Sequence, residues 1–324
     1  MDEVIIFDDG QGKRQTNNNW GRFQENQYQD NASEEQAYTG YSDPDGFLIH
    51  LLSYLETPPH LRKFLFPMHP NLRTAGTLPS LDMPHHLRAH EWCQYREGVT
   101  IETPSSASTN GAATTEEQGK NKKKRKSEPT PTSLSSTLID AGLPQKVLVS
   151  DSIPPNTRVT LKFPSATPPS DTSNEYLSAE AISPDGPREE AGYYWGYSIR
   201  RAPSISTVFT ECNYDGGYDL TVGTSERGQP LSRILNSFPP ASDSGTRLPD
   251  FKHLLLVFGG VAGLEVAVKA DDELVGMSVS EPEGLFDYWV NLCPGQGSRT
   301  IRTEEAVWIG LMGVREMILG NGMR

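Results

Sequence analysis

The sequence has little of what membrane-spanning, disulfide-bonded or metal-binding proteins need. No apolar run approaches the roughly 20 residues that cross a bilayer, and the N-terminus lacks the basic and apolar stretches of a signal peptide. The 324 residues include only three cysteines, which lie far apart and form neither a CxxC pair nor a zinc spacing. The group His85, His86, His90 and Glu91 lacks the HExxH spacing of a metalloenzyme, which favours loop or helix-cap roles. We therefore expect a soluble, intracellular protein without a disulfide framework or a metal site.

The sequence also has too few apolar residues for one compact core over its whole length. Hydrophobic residues make up 35% of the chain, the mean hydropathy is −0.53 and the formal net charge is −13. Two polar stretches, residues 11–45 and 104–137, have no hydrophobic period and are predicted to be disordered. The acidity argues against a generic nucleic-acid binder, so any RNA surface has to be a local patch.

One compact basic run stands inside the second polar stretch. It is KKKRK, Lys122 to Lys126, and it lies close to serine and proline. A solvated charge run and an RNA tether are the alternatives, but the compact block favours a nuclear-import signal. We expect the protein in the nucleus, including the nucleolus, and otherwise in the cytoplasm.

The first half of the chain is predicted to contain helices and short strands. Residues 4–7 are typical of a buried strand, and residues 47–56 and 60–66 have helical spacing, each ended by proline. Four segments predict strands joined by turns and hence a small OB-like β-barrel: residues 98–101, 146–149, 157–163 and 175–182. Barrels of this kind bind single-stranded nucleic acid by aromatic stacking, which makes Phe163 and Tyr176 candidates for stacking on RNA bases, although filling a core is the stronger expectation for both.

The last third has a different pattern, in which a predicted strand, a glycine-bearing turn and a helix follow each other repeatedly. Apolar strands at residues 218–223, 253–258 and 285–290 alternate with helices, which predicts a parallel α/β sheet. Each strand runs into a glycine-bearing loop. The carboxyl ends of parallel strands meet at one edge of a sheet, where ligands bind. One such loop alone is explained as a tight turn, but three together favour a small-molecule site.

Other enzyme classes fit less well. The segment GGVAG at residues 259–263 fails the GxGxxG fingerprint, because Phe258 stands at the first glycine position and no acidic residue follows at the expected distance. This argues against a nicotinamide or flavin dehydrogenase. No GxSxG elbow or Ser-His-Asp order indicates a hydrolase.

The segment PGQGSRTIRTEEA, residues 294–306, predicts the start of the final helix. Thr303 is a suitable N-cap, and the two glutamates that follow it suit the helix dipole. Arg299 and Arg302 precede the helix, where pairing with those glutamates is one explanation and an anionic partner such as RNA phosphate is the favoured one. The predicted buried face of the helix consists of Val307, Leu311, Val314 and Ile318.

Seven segments carry a resemblance to a known family: ETPPHLRKFLFPMHPNL, MPHHLR, YREGVT, YYWGYSIRRA, GYDLTVGTSERG, LLLVFGGVAGLE and FDYWVNLCPGQGSRTIRTEEA. They resemble the eukaryotic and archaeal branch of the SPOUT-class RNA methyltransferases. The likeness runs from Asp2 to about Met312 and is broken only by the two polar stretches. GTSERG and CPGQGSRTIRTEEA are its most specific signatures.

The resemblance implies an α/β fold of SPOUT type, with a parallel sheet, a C-terminal trefoil knot and an inserted OB-like β-barrel. Residues 1–97 and 186–324 would be the two parts of the methyltransferase domain, and residues 98–185 the insertion. The family usually forms homodimers. Its members begin with a further strand and helix before the segment that matches DEVIIFD, so we expect this chain to lack them.

The resemblance also implies S-adenosylmethionine as the cofactor, held in the knot mostly by backbone groups. Arg227 is expected to polarise the acceptor and Glu304 to take its proton, while the RNA substrate contacts Arg200, Arg201, Arg299 and Arg302. A non-catalytic RNA-binding or scaffold protein is the alternative, but the intact glycines of PGQGS favour the enzyme. The residues expected to bind the cofactor are Thr224, Arg227, Gly228, Phe258, Gly259, Gly260, Asn291, Cys293, Pro294, Gly295, Gln296, Gly297, Ser298, Ile301, Thr303 and Ala306.

Overall fold

The structure is a computed structural model and describes residues 1–10, 38–79, 81–101, 136–169, 175–236 and 251–322. The chain divides into two compact units. The first comprises Met1–Asp2 and His50–Ser198, and the second comprises Glu3–Ile49 and Ile199–Arg324. The main segment of the first unit, His50–Ser198, begins earlier and ends later in the sequence than the predicted insertion at residues 98–185. The basic run at residues 122–126 lies outside the described residues.

The described residues form strands and helices in an order that mixes both along the chain. The strands are β1 Glu3–Phe7, β2 Tyr95–Ile101, β3 Thr137–Asp140, β4 Lys146–Val149, β5 Arg158–Lys162, β6 Tyr176–Ser178, β7 Glu180–Ile182, β8 Ser198–Ala202, β9 Leu220–Pro230, β10 Leu254–Val257 and β11 Tyr288–Asn291. The α-helices are α1 Pro44–Glu56, α2 Pro59–Leu65, α3 Gly186–Ala191, α4 Ile205–Thr210, α5 Leu231–Asn236, α6 Leu264–Ala270, α7 Asp272–Gly276 and α8 Thr303–Gly322. Short 3-10 helices are Pro70–Leu72, Ala75–Thr77 and Pro282–Leu285.

The first unit is built on a six-stranded sheet with the order β6-β4-β3-β2-β5-β7. Its pairs are antiparallel except β4 with β6, which is parallel. The two outermost strands are consecutive in the chain and are separated only by Ala179, whose N–H donates to the Leu148 carbonyl. One extended segment therefore pairs with β4 by its first half and with β5 by its second half, which curls the sheet back on itself. The apolar cluster that this sheet and its loops enclose consists of Ile139, Ala141, Val147, Val149, Val159, Leu161 and Phe163.

The boundaries in the first unit differ from the predicted ones in identifiable places. Thr137 belongs to β3, and α1 already begins at Pro44, so each of the predicted disordered stretches extends too far. The apolar run over residues 194–200 is typical of a strand, but β8 begins only at Ser198. Gly196 has a φ of +93°, outside the extended region, and the Trp195 indole donates 2.6 Å to Glu97 Oε1. The residues just before β8 are therefore not extended, and Trp195 among them donates a hydrogen bond to the buried Glu97 carboxylate.

The second unit contains the parallel sheet that the alternation of strands and helices predicts. Its order is β10-β9-β11, and both pairs are parallel. A separate two-stranded sheet joins β1 to β8. The largest apolar cluster lies here and includes Ile205, Val257, Leu264 and Val268. The carboxyl ends of β9, β10 and β11 consequently open on the same side, as they must in a parallel arrangement.

The central strand of this sheet is longer than predicted. β9 continues to Pro230 and so includes GTSERG, which the sequence indicated as a loop. The pairing with β11 jumps from Gly223–Trp289 to Gln229–Val290, so residues 224–228 bulge out of the ladder. The motif is thus an irregular excursion within a strand, which frees its backbone groups from sheet pairing.

The final helix α8 is apolar on more than one face. Val314 is buried, but Leu311 and Ile318, expected on the same buried face, are 39% and 43% exposed. Trp308 and Met312 are exposed as well, at 74% and 59%. The helical spacing was correct, but the sequence pattern could not separate the side that meets the core from the side that remains uncovered.

Two further findings bear on the protein class. Within the described residues no helix combines the length and the apolar character that a membrane span requires. The three cysteines are free and half-buried.

Candidate functional site

A cavity of about 440 Å³ lies at the carboxyl ends of the parallel strands in the second unit. Its size is within the usual range for small-molecule sites. Segments that are distant in sequence share its wall. The lining residues are Thr224, Ser225, Glu226, Arg227, Gly259, Gly260, Val261, Ala262, Gly263, Glu265, Val266, Lys269, Ser280, Glu281, Asn291, Leu292, Cys293, Gln296, Thr300, Ile301, Thr303 and Ala306.

Side-chain hydrogen bonds to backbone groups hold the three loops in place. The Thr224 hydroxyl donates 2.9 Å to the Val257 carbonyl, which joins the end of β10 to the bulge in β9. The Asn291 amide donates 2.8 Å to the Glu226 carbonyl, and its oxygen accepts 3.0 Å from the Cys293 N–H. A single asparagine therefore links the bulge to the loop after β11 and orders both walls of the cavity.

The loop after β10 turns so tightly that it requires glycine. A Cβ on Gly259 would lie 2.8 Å from backbone atoms of Gly263 and Leu264, and Gly263 has a φ of +77°. Any larger residue at Gly259 would push the loop apart. The tight turn brings residues 259–263 to the cavity wall, where all five line it.

The start of α8 closes the cavity from the other side. The Thr303 hydroxyl donates 3.3 Å to the Gly259 carbonyl, and Thr303 is the first helical residue. The prediction that Thr303 is the N-cap was wrong, because the Arg302 carbonyl accepts the first helical hydrogen bond, from Ala306. The Arg302 N–H donates in turn to the Glu305 carboxylate at 3.0 Å. Thr303 is thus released to contact the glycine loop.

The cavity is charged as well as polar. Arg227 Nη1 lies 3.4 Å from Glu265 Oε1, and the two side chains are 71% and 21% exposed. Lys269, Glu226 and Glu281 contribute further charges to the lining.

The structure brings ten of the sixteen expected cofactor residues into this lining and leaves six outside it. A Cβ on Gly228 would meet the Val290 backbone at 2.4 Å, and Phe258 lies against Gly310, so these two support the wall from behind. The ten that line the cavity are Thr224, Arg227, Gly259, Gly260, Asn291, Cys293, Gln296, Ile301, Thr303 and Ala306. The six outside it are Gly228, Phe258, Pro294, Gly295, Gly297 and Ser298.

Several lining residues had no signal in the sequence. Glu265, Val266 and Lys269 come from α6, and Ser280 and Glu281 come from the segment after α7. They belong to no glycine motif. Only the packing of α6 beside the loop after β10 places them at the cavity, although the first turn of a helix that follows a glycine loop is a place to search.

Glu304 does not occupy the position that its expected catalytic role requires. Its side chain is 71% exposed, lies 3.7 Å from Arg302 and does not line the cavity. The two glutamates after Thr303 have different contacts, since Glu305 accepts a hydrogen bond from the Arg302 N–H at the start of α8. The structure does not place Glu304 among the residues that line the cavity, and its role as a proton acceptor stays a prediction.

The four arginines expected at RNA fall into two groups. Arg299 is exposed and Arg302 is 80% exposed, so both are accessible beside the cavity. Arg200 is only 13% exposed and forms hydrogen bonds with Glu3, Tyr218 and two helix carbonyls. Arg201 is half-exposed and held by Asp43 at 2.7 Å. The first pair keeps most of its side-chain surface accessible, although Arg302 also pairs with Glu304 at 3.7 Å, whereas Arg200 is a structural cation.

The candidate stacking residues of the first unit also separate. Phe163 is 2% exposed within the core, as the stronger expectation had it, while Tyr176 is 41% exposed.

The histidine pair is structural: the imidazoles of His85 and His86 both contact the Glu56 carbonyl, at 3.0 and 2.6 Å. No cluster of three or more His, Cys, Asp or Glu suited to a metal ion occurs in the part of the chain that the structure describes.

The cavity suits a nucleoside cofactor such as S-adenosylmethionine. Gly260 lines the cavity and a Cβ there would meet only Asp9 Oδ2, at 3.3 Å, while the bulge at 224–228 offers backbone groups that the sheet does not use. Polar atoms line the wall beside apolar surface from Val266, Leu292 and Ile301.

Comparison with known proteins gives a consistent result. The profile of a family described as "Putative RNA methyltransferase" matches residues 1–314. The "28S rRNA (uridine-N(3))-methyltransferase" of Homo sapiens is 34% identical over all of this chain, which spans 71% of it. The protein of that name in Mus musculus is also 34% identical, with 69% of it spanned. In Drosophila melanogaster it is 38% identical over 98% of this chain and 55% of its own length. The chain therefore belongs to this family of RNA methyltransferases.

Proposed function

We propose that this chain transfers a methyl group from S-adenosylmethionine to N3 of a uridine in large-subunit ribosomal RNA. The observation that carries the proposal is the cavity at the carboxyl ends of β9, β10 and β11, in a chain 34–38% identical to three proteins named as 28S rRNA uridine-N3 methyltransferases. The cofactor, when bound, supplies a methyl group activated by a sulfonium. The remaining task of the chain is to hold donor and acceptor in line and to accept a proton.

The residues that would hold the cofactor are those with backbone facing the cavity. Gly259, Gly260 and the loop over residues 291–296 would contact it through peptide groups. Thr303 would keep α8 against this loop through the Gly259 carbonyl. We further infer that this region is the trefoil knot that the family resemblance implies, and the contact of Thr303 with the Gly259 carbonyl, where the chain after β11 returns to the loop after β10, supports it.

We infer that the first unit is an OB-like barrel that binds single-stranded RNA. Its support is the strand order. If β6 and β7 are counted as one strand, the sheet has five strands, numbered one to five in chain order: β2, β3, β4, β5 and β6–β7. Around the closed sheet their order is one, two, three, five, four, and only the third and fifth strands pair in parallel. Barrels of this class bind oligonucleotides on one face with aromatic stacking. Tyr176, 41% exposed, is the candidate stacking residue.

We infer that the protein is a homodimer whose interface includes α8. Trp308, Leu311 and Met312 form an uncovered apolar strip on this helix, with Leu319 two turns further on. Tryptophan and methionine are enriched in interfaces. A second copy of the chain would cover the strip by a symmetric contact.

We infer residence in the nucleus, with the nucleolus as the place where ribosomal RNA is modified. The support is the basic run Lys122–Lys126 together with a ribosomal RNA substrate. A fluorescent fusion in which the five residues are alanine should spread into the cytoplasm. Unchanged nuclear accumulation would contradict the signal.

The reaction is tested by incubating the chain with radiolabelled S-adenosylmethionine and unmodified 28S ribosomal RNA. Nucleoside analysis should find the label in 3-methyluridine. Label on ribose or on another base would contradict the proposed acceptor. Binding of S-adenosylhomocysteine, measured by calorimetry, tests the cofactor independently of the acceptor.

A further inference from the structure

Methylation at uridine N3 creates a requirement that the expected residues do not meet. N3 carries a hydrogen, and its electron pair can form a bond to the methyl carbon only as that proton leaves. The C–S bond of the donor breaks and its electron pair stays on sulfur, so the single proton must pass to a base. Glu304, the residue expected from the sequence, lies outside the cavity.

Three carboxylates line the cavity, and they differ in their surroundings. Glu226 and Glu281 are exposed, whereas Glu265 is 21% exposed. A base that exchanges a proton with a bound substrate has to face the enclosed space and be within hydrogen-bond reach. Among the described lining residues Glu265 is the carboxylate that meets the first condition.

The position of Glu265 is determined by the turn that precedes it. It stands in the first turn of α6, and one of its carboxylate oxygens lies so close to Gly263 that a Cβ there would be within 2.3 Å of it. Its other oxygen faces Arg227 at 3.4 Å. The carboxylate is therefore held between the loop after β10 and the bulge of β9, where the two walls of the cavity meet.

We propose that Glu265 is the proton acceptor for uridine N3 and that Arg227 supplies the adjacent positive charge. This rests on the proposed function, since only a substrate nitrogen that carries a proton needs such a group. As the proton passes to Glu265, negative charge spreads from N3 to the carbonyl oxygens O2 and O4 of the base. The Arg227 guanidinium, which lines the cavity and already lies 3.4 Å from the carboxylate, stabilises that charge.

The test compares Glu265→Gln with the wild-type chain on two RNAs. Both are in vitro transcripts of 28S ribosomal RNA, one made with uridine and one with 5-fluorouridine. Fluorine withdraws electrons and makes N3–H more acidic, so the substituted base loses its proton with less help. Glu273→Gln, which removes an exposed carboxylate of α7 outside the cavity lining, is the matched control.

Glu265→Gln should slow 3-methyluridine formation about 100-fold at neutral pH, which is typical of a lost general base. The rate should rise with pH, and the 5-fluorouridine transcript should recover most of the loss. S-adenosylhomocysteine affinity and thermal stability should remain those of the wild type, and Glu273→Gln should lose nothing.

Two kinds of result overturn the inference. An undiminished rate, or an equal loss on both transcripts, would show that Glu265 takes no proton from N3. A loss of S-adenosylhomocysteine affinity would assign Glu265 to the cofactor instead. If the wild-type chain forms no 3-methyluridine on either transcript, the proposed function itself fails and this inference with it, so the two failures are distinguishable.

Discussion

Arg158 on β5 and Glu56 at the end of α1 are 102 residues apart and meet at 2.6 Å. Arg158 also donates 2.6 Å to Glu97 on β2, so one guanidinium joins two buried carboxylates. His85 approaches the same Glu56 carboxylate at 3.0 Å, and the Trp195 indole approaches that of Glu97. The helix that leads into the six-stranded sheet and the segment that leads out of it are thus tied to the sheet by one polar network.

Removing the arginine from this network should destabilise the first unit strongly. Arg158→Ala leaves two buried carboxylates without their cation, which costs about 3–5 kcal/mol. Lys146→Ala, which removes the more exposed partner of Asp140, is the control and should cost no more than about 1 kcal/mol. Urea unfolding of both variants measures the difference, and equal losses would contradict the structural role.

The same network predicts that acid destabilises the protein. Burial raises the pKa of Glu56, but hydrogen bonds from His85 and Arg158 outweigh it and bring the pKa from 4.5 to about 2. A carboxyl whose pKa is lower in the folded state contributes stability above pH 4.5, and the contribution is lost as the pH falls toward 2. Burial also lowers the pKa of His86, so protonation opposes folding there as well.

The free energy of unfolding should therefore fall between pH 5 and pH 3, and less steeply in Glu56→Gln. Glu189→Gln, at an exposed position, should keep the wild-type slope. Urea unfolding across this range measures it. A wild-type slope in Glu56→Gln would mean that other groups cause the acid sensitivity.

Two glycines of the cofactor motifs should respond differently to valine. Gly260 lines the cavity, and a Cβ there would approach only the Asp9 carboxylate, at 3.3 Å. Gly260→Val should therefore fill the cavity and lower S-adenosylhomocysteine affinity more than about tenfold. Gly297 is outside the lining and a Cβ there would meet nothing within 4 Å, so Gly297→Val should bind normally. Calorimetry on both variants decides, and a loss at Gly297 would extend the site beyond the cavity seen here.

The accessible arginines beside α8 should govern RNA binding. Arg299→Ala with Arg302→Ala should weaken binding and lower the slope of log affinity against log salt by about one per lost phosphate contact. Arg201→Ala, at an arginine already held by Asp43, should change the slope less. RNA titrations at several salt concentrations measure this. An unchanged slope with lost cofactor affinity would place the two arginines in the cofactor site.

The apolar strip on α8 should hold two copies together. Trp308→Glu puts a charge on its most exposed member, at 74%, and should convert the dimer to a monomer in sedimentation experiments. Tyr41→Glu, at a 93% exposed tyrosine that is not part of α8, is the control and should leave the dimer intact. A wild-type chain that sediments as a monomer would contradict the dimer itself.

The sequence by itself determined the elements whose pattern is local. The alternation of apolar runs and glycine turns predicted the parallel sheet, because a strand buried on both faces needs a continuous apolar run, as in LLLV of β10. Short segments bounded by turns predicted strands at residues 98–101, 146–149, 157–163 and 175–182, where β2, β4, β5, β6 and β7 lie, but gave no prediction for β3. The motif glycines marked the loops that surround the cavity, since close backbone turns restrict the residue type strongly.

Only the tertiary structure decided which side chains meet. Glu304 and Glu265 are both acids in the first turn of a helix, and no local pattern separates them, yet one is exposed and the other lies beside Arg227 in the cavity wall. Arg200 and Arg299 are equally basic in sequence, but burial among carboxylate and carbonyl partners makes the first structural. The physical reason is that charge and helix position are properties of a short segment, whereas enclosure and pairing depend on distant segments that the fold brings together.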